Sequence, residues 1–415
     1  MSFADLPGPR GMTTSFRPGD PGYDTYRKAL NPALDPRPAR IVRAGRAHDV
    51  REAVSAARTA GLPLAVQATG HGTHVAHDGA LLLHTGAMTS VLIDPGRRVA
   101  RVAPGARWRD VLAASAPFGL APLSGSSPDV GVTGYTLGGG LGWLARAHGL
   151  AADSVLSARI VTADGELRTA GPDLLWALRG GGGSFGVVTS LEFRLHPVAD
   201  VFAGTVTFPR ERAADTLAFY RKWIDRIPDT LSTAIVLGND NTMTIKALYA
   251  GDAPTGARLL APLWRTAGTA VSDTMTVVPY AQAAMGGTSA RTFDQVPHLG
   301  DDLITALTGE PGCTVEIRHW GGRIARDTGA AAHRDAPLSV ILDRVPTPAT
   351  RAALARTGRG TSFLNFLSDP TRTASAFTAA NWTRLREIKA AYDPDNFFHA
   401  GLNVPPAPAE LALAS

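Results

Sequence analysis

The pattern of apolar and polar positions divides the chain into two parts. In the first part, apolar runs at 39–44 (ARIVRA) and 64–68 flank the segment 48–61 (HDVREAVSAARTAG). The apolar positions of that segment recur with the period of an amphipathic helix, which ends at a glycine. Asp164-Gly165 is a dipeptide that favours a hairpin. Further strands are predicted at 80–86, 90–95, 98–105 and within 187–195.

From about residue 201 the apolar positions alternate with period two. Strands are predicted at 203–208, 232–238, 242–251, 313–322, 338–345 and 362–370, with helices at 212–227 and 256–268. A last helix is expected from about Trp382 until Asp393-Pro394. The predicted class is α+β: α/β subdomains over residues 1–200, an antiparallel sheet backed by helices over 201–374, and a segment 375–415 that returns to the first domain.

Composition restricts the function classes. The 415 residues are 44% hydrophobic and 19% charged, which is ordinary for a globular protein of two domains. The net charge is only +5 and the arginines are scattered, so no nucleic-acid partner is expected. Cys313 is the only cysteine, so a multi-cysteine metal site is excluded, and no metal is expected. No apolar run suggests a signal peptide or a membrane partner, and a cytoplasmic location is predicted.

Three glycine-rich stretches each follow a predicted strand: 68–74 (ATGHGTH), 125–142 (GSSPDVGVTGYTLGGGLG) and 179–186 (RGGGGSFG). Rows of peptide N–H groups that come close to a ligand form anion sites, usually for phosphate. The segments match neither the dinucleotide fingerprint GxGxxG in its strand–helix frame nor a Walker loop. One such cluster would ordinarily be a packing turn. Three of them favour a cradle for a dinucleotide.

Four segments in this order resemble the FAD-linked oxidases of the berberine bridge enzyme and vanillyl-alcohol oxidase group. They are 68–74, 130–155, 179–193 and 392–404 (YDPDNFFHAGLNV), and the resemblance extends from residue 38 to residue 404. It implies a PCMH-type FAD-binding domain over residues 1–200, a substrate-binding domain over 201–374 and a berberine-bridge-type C-terminal segment. The bacterial secondary-metabolism branch is the predicted one.

The resemblance implies a covalent bond between FAD and the histidine of the first loop, which is His71. A neutral imidazole can attack the electrophilic 8α-methyl group, and the bond raises the flavin potential. The alternative is that His71 only contacts a phosphate and that His74 or His77 carries the flavin. Loop position favours His71. Some relatives add a cysteine bond, but the corresponding residue here is Ser127, so a single bond is expected.

The resemblance also implies which other residues contact FAD. The first loop and the start of the second stretch would hold the pyrophosphate and the flavin edge, 138–142 with Asp153 would support the second cradle, 186–188 would meet the adenine or ribose, and Asn403 would reach the isoalloxazine. Tyr135 would flank the flavin or be a core aromatic. The full set is Thr69, Gly70, His71, Gly72, Thr73, His74, Gly125, Ser126, Ser127, Val130, Gly131, Gly134, Tyr135, Gly138, Gly139, Gly140, Gly142, Asp153, Gly186, Val187, Val188 and Asn403.

The usual catalytic tyrosines of sugar-oxidising and anthracycline-oxidising relatives are missing. Their Y-x-N-Y strand is represented here by Phe363, Asn365 and Phe366, and a second tyrosine position is occupied by Leu141. Asn365 is expected to orient substrate or flavin. The substrate pocket is expected to be apolar, with Phe363, Phe366 and Trp320 in its lining.

A substitute base must project from the substrate sheet. In 313–322, alternation places Glu316 and Arg318 on one face and His319 on the other. The face that meets the flavin therefore selects Glu316 or His319, and a histidine near its free pKa suits general-base work. Tyr249, Tyr135 and His333 are further candidates for catalysis.

The predicted function is that of an FAD-dependent oxidase. A hydride would leave a C–H next to oxygen or nitrogen of a small, polycyclic or aromatic secondary metabolite, and electrons would pass to O₂ to give H₂O₂. Two alternatives use the same scaffold. One is a flavin-containing drug-binding or resistance protein, which the absent tyrosines favour. The other is a redox-neutral cyclase.

Overall fold

The computed structural model of the protein describes residues 14–326 and 329–408. Seventeen strands form three sheets over this part of the chain. The strands are β1 (Thr14–Phe16), β2 (Arg40–Arg43), β3 (Leu64–Gln67), β4 (Leu81–His84), β5 (Val91–Asp94), β6 (Val99–Val102), β7 (Val155–Val161), β8 (Leu167–Thr169), β9 (Val187–Arg194), β10 (Asp200–Pro209), β11 (Leu231–Leu237), β12 (Thr242–Tyr249), β13 (Ser272–Asp273), β14 (Thr276–Pro279), β15 (Thr292–Val296), β16 (Val315–His319) and β17 (Leu338–Leu342).

Helices lie between and against these sheets. The α-helices are α1 (Tyr23–Arg27), α2 (Ala47–Thr59), α3 (Trp108–Ser115), α4 (Val132–Leu137), α5 (Ala145–His148), α6 (Pro172–Leu178), α7 (Ala213–Trp223), α8 (Ala253–Ala267), α9 (Asp301–Thr308), α10 (Pro348–Thr357) and α11 (Ala379–Tyr392). Short 3₁₀ turns occupy Ala116–Phe118, Ala151–Ser154, Arg210–Arg212, Ile224–Arg226, Tyr280–Gln282, Gly322–Ala325, Leu364–Phe366 and Pro370–Ala376.

The first sheet has the order β1-β2-β4-β3, with β2, β4 and β3 parallel. Parallel neighbours need a crossover, and α2 supplies it between β2 and β3. The apolar stripe of α2 that includes Val50, Val54 and Ala57 is buried. The second sheet, β5-β6-β9-β7-β8, is antiparallel, and its β7–β8 hairpin turns at Asp164-Gly165 as predicted.

The third sheet is antiparallel and has eight strands in the order β13-β10-β12-β11-β16-β17-β15, with β14 pairing with β10. Its apolar face packs against α7, α8 and α9, where Ile235, Ile245 and Ile317 are fully buried. Side chains alternate across a strand, so the opposite face of β16 points to the glycine-rich loops. The predicted α+β class, with a helix-backed antiparallel sheet in the second part, is therefore confirmed.

The prediction of a strand at 362–370 is wrong. This segment forms the 3₁₀ turn Leu364–Phe366, because Asn365 binds the second glycine stretch instead of continuing a sheet edge. The last helix begins three residues before Trp382, because the side chain of Thr378 accepts a hydrogen bond from the Asn381 amide and caps α11. The pattern did not predict α9 or α10.

The C-terminal segment packs on the first part of the chain. The Ser184 hydroxyl donates to the Leu402 carbonyl and accepts from the Val404 amide, each at 3.1 Å. The third sheet starts with β10 at residue 200. These contacts favour the proposed division near residues 200 and 375, which stays a prediction. No helix within the described ranges is long and apolar enough to span a membrane.

Candidate active site

One cavity of about 690 Å³ runs from the glycine-rich loops to the inner face of the third sheet. All three glycine-rich stretches contribute to it, together with the C-terminal segment and β16. Of the residues proposed to contact FAD or substrate, it is lined by Thr69, Gly70, His71, Gly72, Thr73, His74, Gly125, Ser126, Ser127, Val130, Gly131, Gly134, Tyr135, Gly138, Gly186, Val187, Val188, Glu316 and Asn365.

Three glycines in the cavity wall have no role in packing. A Cβ atom added to Gly72, Gly134 or Gly183 would meet no protein atom within 4 Å, and none of these residues has a positive φ. Neither crowding nor backbone conformation therefore requires glycine there. Each comes from a different stretch of the chain. Glycine at such positions allows a ligand to come close to the main chain.

Other predicted cofactor residues serve the packing instead. Gly139, Gly140 and Gly142 do not line the cavity. A Cβ atom would lie 2.5 Å from the Tyr135 ring at Gly140 and 2.2 Å from the Ser124 carbonyl oxygen at Gly142. These glycines therefore allow the turn to fold on itself, and they support the cradle only from behind.

Asp153 and Asn403 also lie outside the cavity lining. The carboxylate of Asp153 accepts hydrogen bonds from Arg334 and from the Leu150 amide, both at 2.7 Å. Asp153 thus caps the 3₁₀ turn Ala151–Ser154 and connects it to Arg334. The amide oxygen of Asn403 is buried without a partner, one residue beyond Leu402, which does line the cavity.

Three histidines in and just after the first loop line the cavity. His71 is exposed and its Nδ1 lies 3.1 Å from the Thr69 hydroxyl, whereas His74 and His77 are half-buried. Partial burial of each ring lowers the pKa of all three, and for His71 Arg107 adds to this effect while Asp129 opposes it. All three imidazoles are therefore favoured in the neutral, nucleophilic form at pH 7.

Two hydroxyl groups in the cavity wall lack a protein partner. The Tyr135 hydroxyl and the Thr133 hydroxyl are buried without a hydrogen bond. The Tyr135 ring packs edge-on against Trp108, with ring centroids 5.4 Å apart. Burial raises the pKa of Tyr135, so its phenol stays protonated. Buried polar groups normally find partners, so these two hydroxyls are exceptions within the described residues.

Glu316 and Arg318 project from β16 into the cavity, with exposed fractions of 2% and 4%. The Glu316 carboxylate accepts a hydrogen bond of 3.2 Å from the Thr288 amide, and its oxygen lies 3.8 Å from the Lys246 ammonium. Burial lowers the pKa of Lys246, and Arg318 lowers it further, while Glu316 opposes both effects. The face of β16 that carries Glu316 is therefore the one that meets the glycine-rich loops.

His319 lies on the opposite face and is removed as a candidate base. Its Nε2 is 2.8 Å from Nη1 of Arg146, and His319 does not line the cavity. Burial, and then Arg146, holds the pKa of His319 well below its usual value. Tyr249 and His333 also lie outside the cavity lining. Tyr249 packs with the helices behind the third sheet, so neither residue is placed to act on a substrate.

Asn365 lines the cavity, but its side chain is engaged by the protein. Its amide oxygen accepts from the Gly140 amide at 2.8 Å, and its nitrogen donates to the Tyr135 carbonyl at 3.0 Å. Both functional ends of Asn365 are thus used to hold the second glycine stretch. It positions the loop rather than a substrate.

The apolar part of the pocket differs in detail from the expectation. Phe366 lines the cavity with Leu141, Ile341 and Leu364. Phe363 and Trp320 lie behind this wall, packed edge-on with ring centroids 5.3 Å apart. The expected apolar lining is present, but of the three aromatic residues only Phe366 lines the cavity, whereas Phe363 and Trp320 belong to the core behind it.

Sequence reasoning missed several cavity residues: Gly182, Gly183, Ser184, Gly287, Thr288, Ser289, Arg318 and residues 398–402. The four consecutive glycines of 179–186 were a signal for the first three. The loop 287–289 lies between strands and carries no pattern that links it to a site. Arg318 was placed on the correct face but was given no role.

These features fit FAD. The glycines without packing roles leave room for a dinucleotide along the loops, and the unpartnered hydroxyls can bond to it. The cavity then continues to Glu316 on the substrate sheet. The fold and this cavity are those expected of a PCMH-type FAD-binding oxidoreductase.

Comparison with known proteins agrees. Residues 38–171 match the FAD binding domain family and residues 362–405 match the berberine and berberine-like family. The chain is 27% identical to an FAD-linked oxidoreductase of Dictyostelium discoideum, over 94% of each chain. It is 28% identical to (R)-6-hydroxynicotine oxidase of Paenarthrobacter nicotinovorans, over 94% of this chain and 96% of the relative.

The crystal structure of 6-hydroxy-D-nicotine oxidase from Arthrobacter nicotinovorans has the same fold. The TM-score is 0.85 at 27% identity, covering 95% of this chain and 98% of that one. The chain therefore contains an FAD binding domain and a berberine-like C-terminal segment, and it is similar to FAD-linked oxidases over almost its whole length. It is an FAD-dependent oxidase.

Proposed function

We propose that the protein carries FAD on a single covalent bond from His71 and oxidises a small molecule with an aromatic or polycyclic frame. The observation that carries this proposal is the continuity of one cavity. It begins at the loop of His71, passes the open glycines Gly72, Gly134 and Gly183, and ends at Glu316.

His71 is favoured over its neighbours by its position and contacts. The Thr69 hydroxyl engages Nδ1, which orients the ring and leaves Nε2 free to attack. His71 is also more exposed than His74 and His77. The neutral state of the imidazole, which burial favours, is the state that the bond-forming step needs.

Glu316 is proposed as the base. FAD, when bound, supplies the acceptor for a hydride from a C–H next to oxygen or nitrogen, with O₂ as the final acceptor and H₂O₂ as product. Glu316 would take the proton from the substrate hydroxyl or amine as that C–H breaks. Lys246, 3.8 Å away, supplies the counter-charge for the carboxylate, and Thr288 fixes one of its oxygens.

The substrate pocket favours a flat apolar body. Leu141, Ile341 and Phe366 form its apolar wall, which suits an aromatic secondary metabolite better than a free sugar. The second candidate function is a flavin-containing drug-binding protein, and a redox-neutral cyclase on this scaffold is the other alternative. The missing tyrosines favour these alternatives, because the usual tyrosine positions are occupied by Phe363, Phe366 and Leu141.

Peptide mass analysis tests the covalent bond. Trypsin releases residues 59–97 as one peptide that contains His71, His74 and His77, so fragmentation must locate the added mass. We expect the yellow colour to stay with acid-precipitated protein and the mass of FAD to be on His71. His71→Ala should abolish the covalent flavin, while His74→Ala and His77→Ala should keep it. An unmodified peptide from fully yellow protein would disprove the bond.

Anaerobic mixing separates the oxidase from the binding protein. A panel of aromatic alcohols and cyclic amines is added to the purified protein under argon. Bleaching of the flavin absorption by any member supports hydride transfer. A spectral shift without bleaching for every ligand that binds supports the binding protein, and the oxidase proposal then fails.

A further inference from the structure

Arg318 is a buried arginine whose guanidinium forms no hydrogen bond with the described residues. Its side chain is 4% exposed and lines the cavity, and its Nη2 atom is buried with no hydrogen bond. Within residues 14–326 and 329–408, no hydrogen bond or ion pair is formed by its guanidinium. Its guanidinium carbon lies 4.4 Å from the centroid of the Trp143 ring. This cation–π contact stabilises the guanidinium through its face and does not use its N–H donors.

The charges around Arg318 leave one positive charge uncompensated. A guanidinium stays protonated in proteins, and an unpaired buried charge is costly. Lys246 and Glu316 lie 3.8 Å apart and offset each other. Burial keeps the phenols of Tyr135 and Tyr280 in the neutral form, because it raises the pKa of both. The end of the cavity therefore carries the excess charge of Arg318.

The fold is able to satisfy a buried arginine at a similar depth. Arg146, on α5, is also 4% exposed. It donates to the carbonyl oxygens of Leu231 and Trp320 and lies 3.8 Å from the Asp229 carboxylate. Arg318 forms no such hydrogen bond or ion pair in the described part of the chain; the nearby Glu316 carboxylate attracts it, but that carboxylate is shared with Lys246. Arg318 is also the arginine of the two that lines the cavity. Its missing partner is thus expected to come from a bound molecule.

We propose that Arg318 binds an anionic group of the substrate, and that the substrate is an aromatic acid. A carboxylate matches the planar fork of a guanidinium with two parallel hydrogen bonds. Arg318 follows Glu316 by two residues on one strand face, which corresponds to about 7 Å. The acid group therefore lies about one benzene ring away from the reacting hydroxyl or amine. This inference rests on the proposed function, since it assumes that Glu316 faces the reacting group.

A second group could accept hydrogen bonds from Arg318 in place of a substrate carboxylate. The carbonyl edge of the flavin could also accept from Arg318, and reduction would strengthen that contact. The two cases differ in their response to loss of the guanidinium. If Arg318 binds a substrate acid, the affinity for acids falls. If Arg318 binds a flavin carbonyl, the flavin midpoint potential changes.

The test uses a matched pair of probes, 4-(hydroxymethyl)benzoate and its primary amide, with the purified holoenzyme. Dissociation constants are measured by protein fluorescence, because Trp143 lies against the guanidinium, and by the flavin spectrum. We expect the acid to bind at least about 10-fold more tightly than the amide, as a charge-assisted hydrogen bond allows. Arg318→Gln should abolish this preference, and Arg318→Lys should keep part of it.

The control is Arg356→Gln, which removes the same charge from an exposed position of the same sheet domain and should leave the preference unchanged. Equal affinity of the native protein for acid and amide overturns the inference. So does a preference that survives Arg318→Gln, or a variant in which only the midpoint potential falls. Protein without flavin would refute the proposed function, and the fluorescence titration would still decide the role of Arg318.

Discussion

Lys389 and Asp393 form a completely buried ion pair one turn apart at the end of α11, with Nζ and Oδ2 at 2.5 Å. The pair joins three segments. Lys389 also donates to the carbonyl oxygen of Ser184 in the third glycine stretch, and Asp393 accepts from the amides of Phe397 and Phe398. The C-terminal segment that lines the cavity is therefore held in place by two charges.

Removal of one partner of this pair should destabilise the protein strongly. Lys389→Met leaves the Asp393 carboxylate buried without its counter-ion, and we expect the free energy of unfolding to fall by about 3–5 kcal/mol. Urea denaturation measures it. The control is Arg384→Met, which breaks the exposed ion pair with Asp173 and should cost less than about 1 kcal/mol. Similar losses for both variants would contradict the assigned role.

Two glycines of the second stretch should respond differently to alanine. Gly134→Ala meets no protein atom and lies in α4, so the fold should be kept or slightly stabilised, while the ratio of flavin to protein falls. Gly142→Ala would clash with the Ser124 carbonyl oxygen at 2.2 Å, so the loss there should be in thermal stability. Normal flavin content in Gly134→Ala would show that its glycine does not serve the cofactor.

Glu316→Gln should slow the chemical step and leave the flavin in place. Loss of a general base typically lowers the rate by about 10²–10⁴-fold. The measurement is the rate of anaerobic flavin reduction by a substrate that reduces the native protein. His319→Gln is the matched control on the other face of β16. It should affect stability through Arg146, with the reduction rate within a few-fold of native. If His319→Gln slowed flavin reduction and Glu316→Gln did not, the assignment of Glu316 as the base would be wrong.

His196 should make the protein sensitive to acid. Burial, followed by the neighbouring His148 and Arg194, lowers the pKa of His196 to about 3. The unfolded chain binds a proton below about pH 6.5 and the folded chain does not until about pH 3, so acid favours unfolding. The free energy of unfolding should fall by up to about 1.4 kcal/mol per pH unit in this window. Urea titrations at pH 7.5 and 5.5 measure it. His196→Gln should reduce the slope, and an equal slope would exclude His196 as the cause.

The local patterns were sufficient for most strands and for the order of the loops. Period-two alternation placed Glu316 and Arg318 together on one face of β16, and the hairpin at Asp164-Gly165 formed as its sequence suggests. Which face meets the loops could not be predicted, because that depends on how the third sheet packs against distant residues. The structure resolved it through the contact between His319 and Arg146, which are 173 positions apart.

The glycines show a second limit of sequence reasoning. Gly134 and Gly142 are equivalent in a pattern, since both belong to the same motif. Only the packing of Ser124 and Tyr135 separates a glycine that faces a ligand from one that avoids a clash. The wrong prediction of a strand at 362–370 also results from long-range contacts that a local pattern does not contain. Its apolar residues satisfy the period, but the long-range hydrogen bonds of Asn365 decide its conformation.

The double hydrogen bond of Asn365 has a practical consequence for redesign of the enzyme. The side-chain amide of Asn365 connects the pocket wall, where new ligands would bind, to the turn of the second glycine stretch, which supports the prosthetic group. Changes of selectivity are therefore best introduced at Ile341 and Phe366, whose side chains border the pocket without bonding to that turn. A library that also varies Asn365 would alter flavin loading and selectivity together, and the two effects could no longer be told apart.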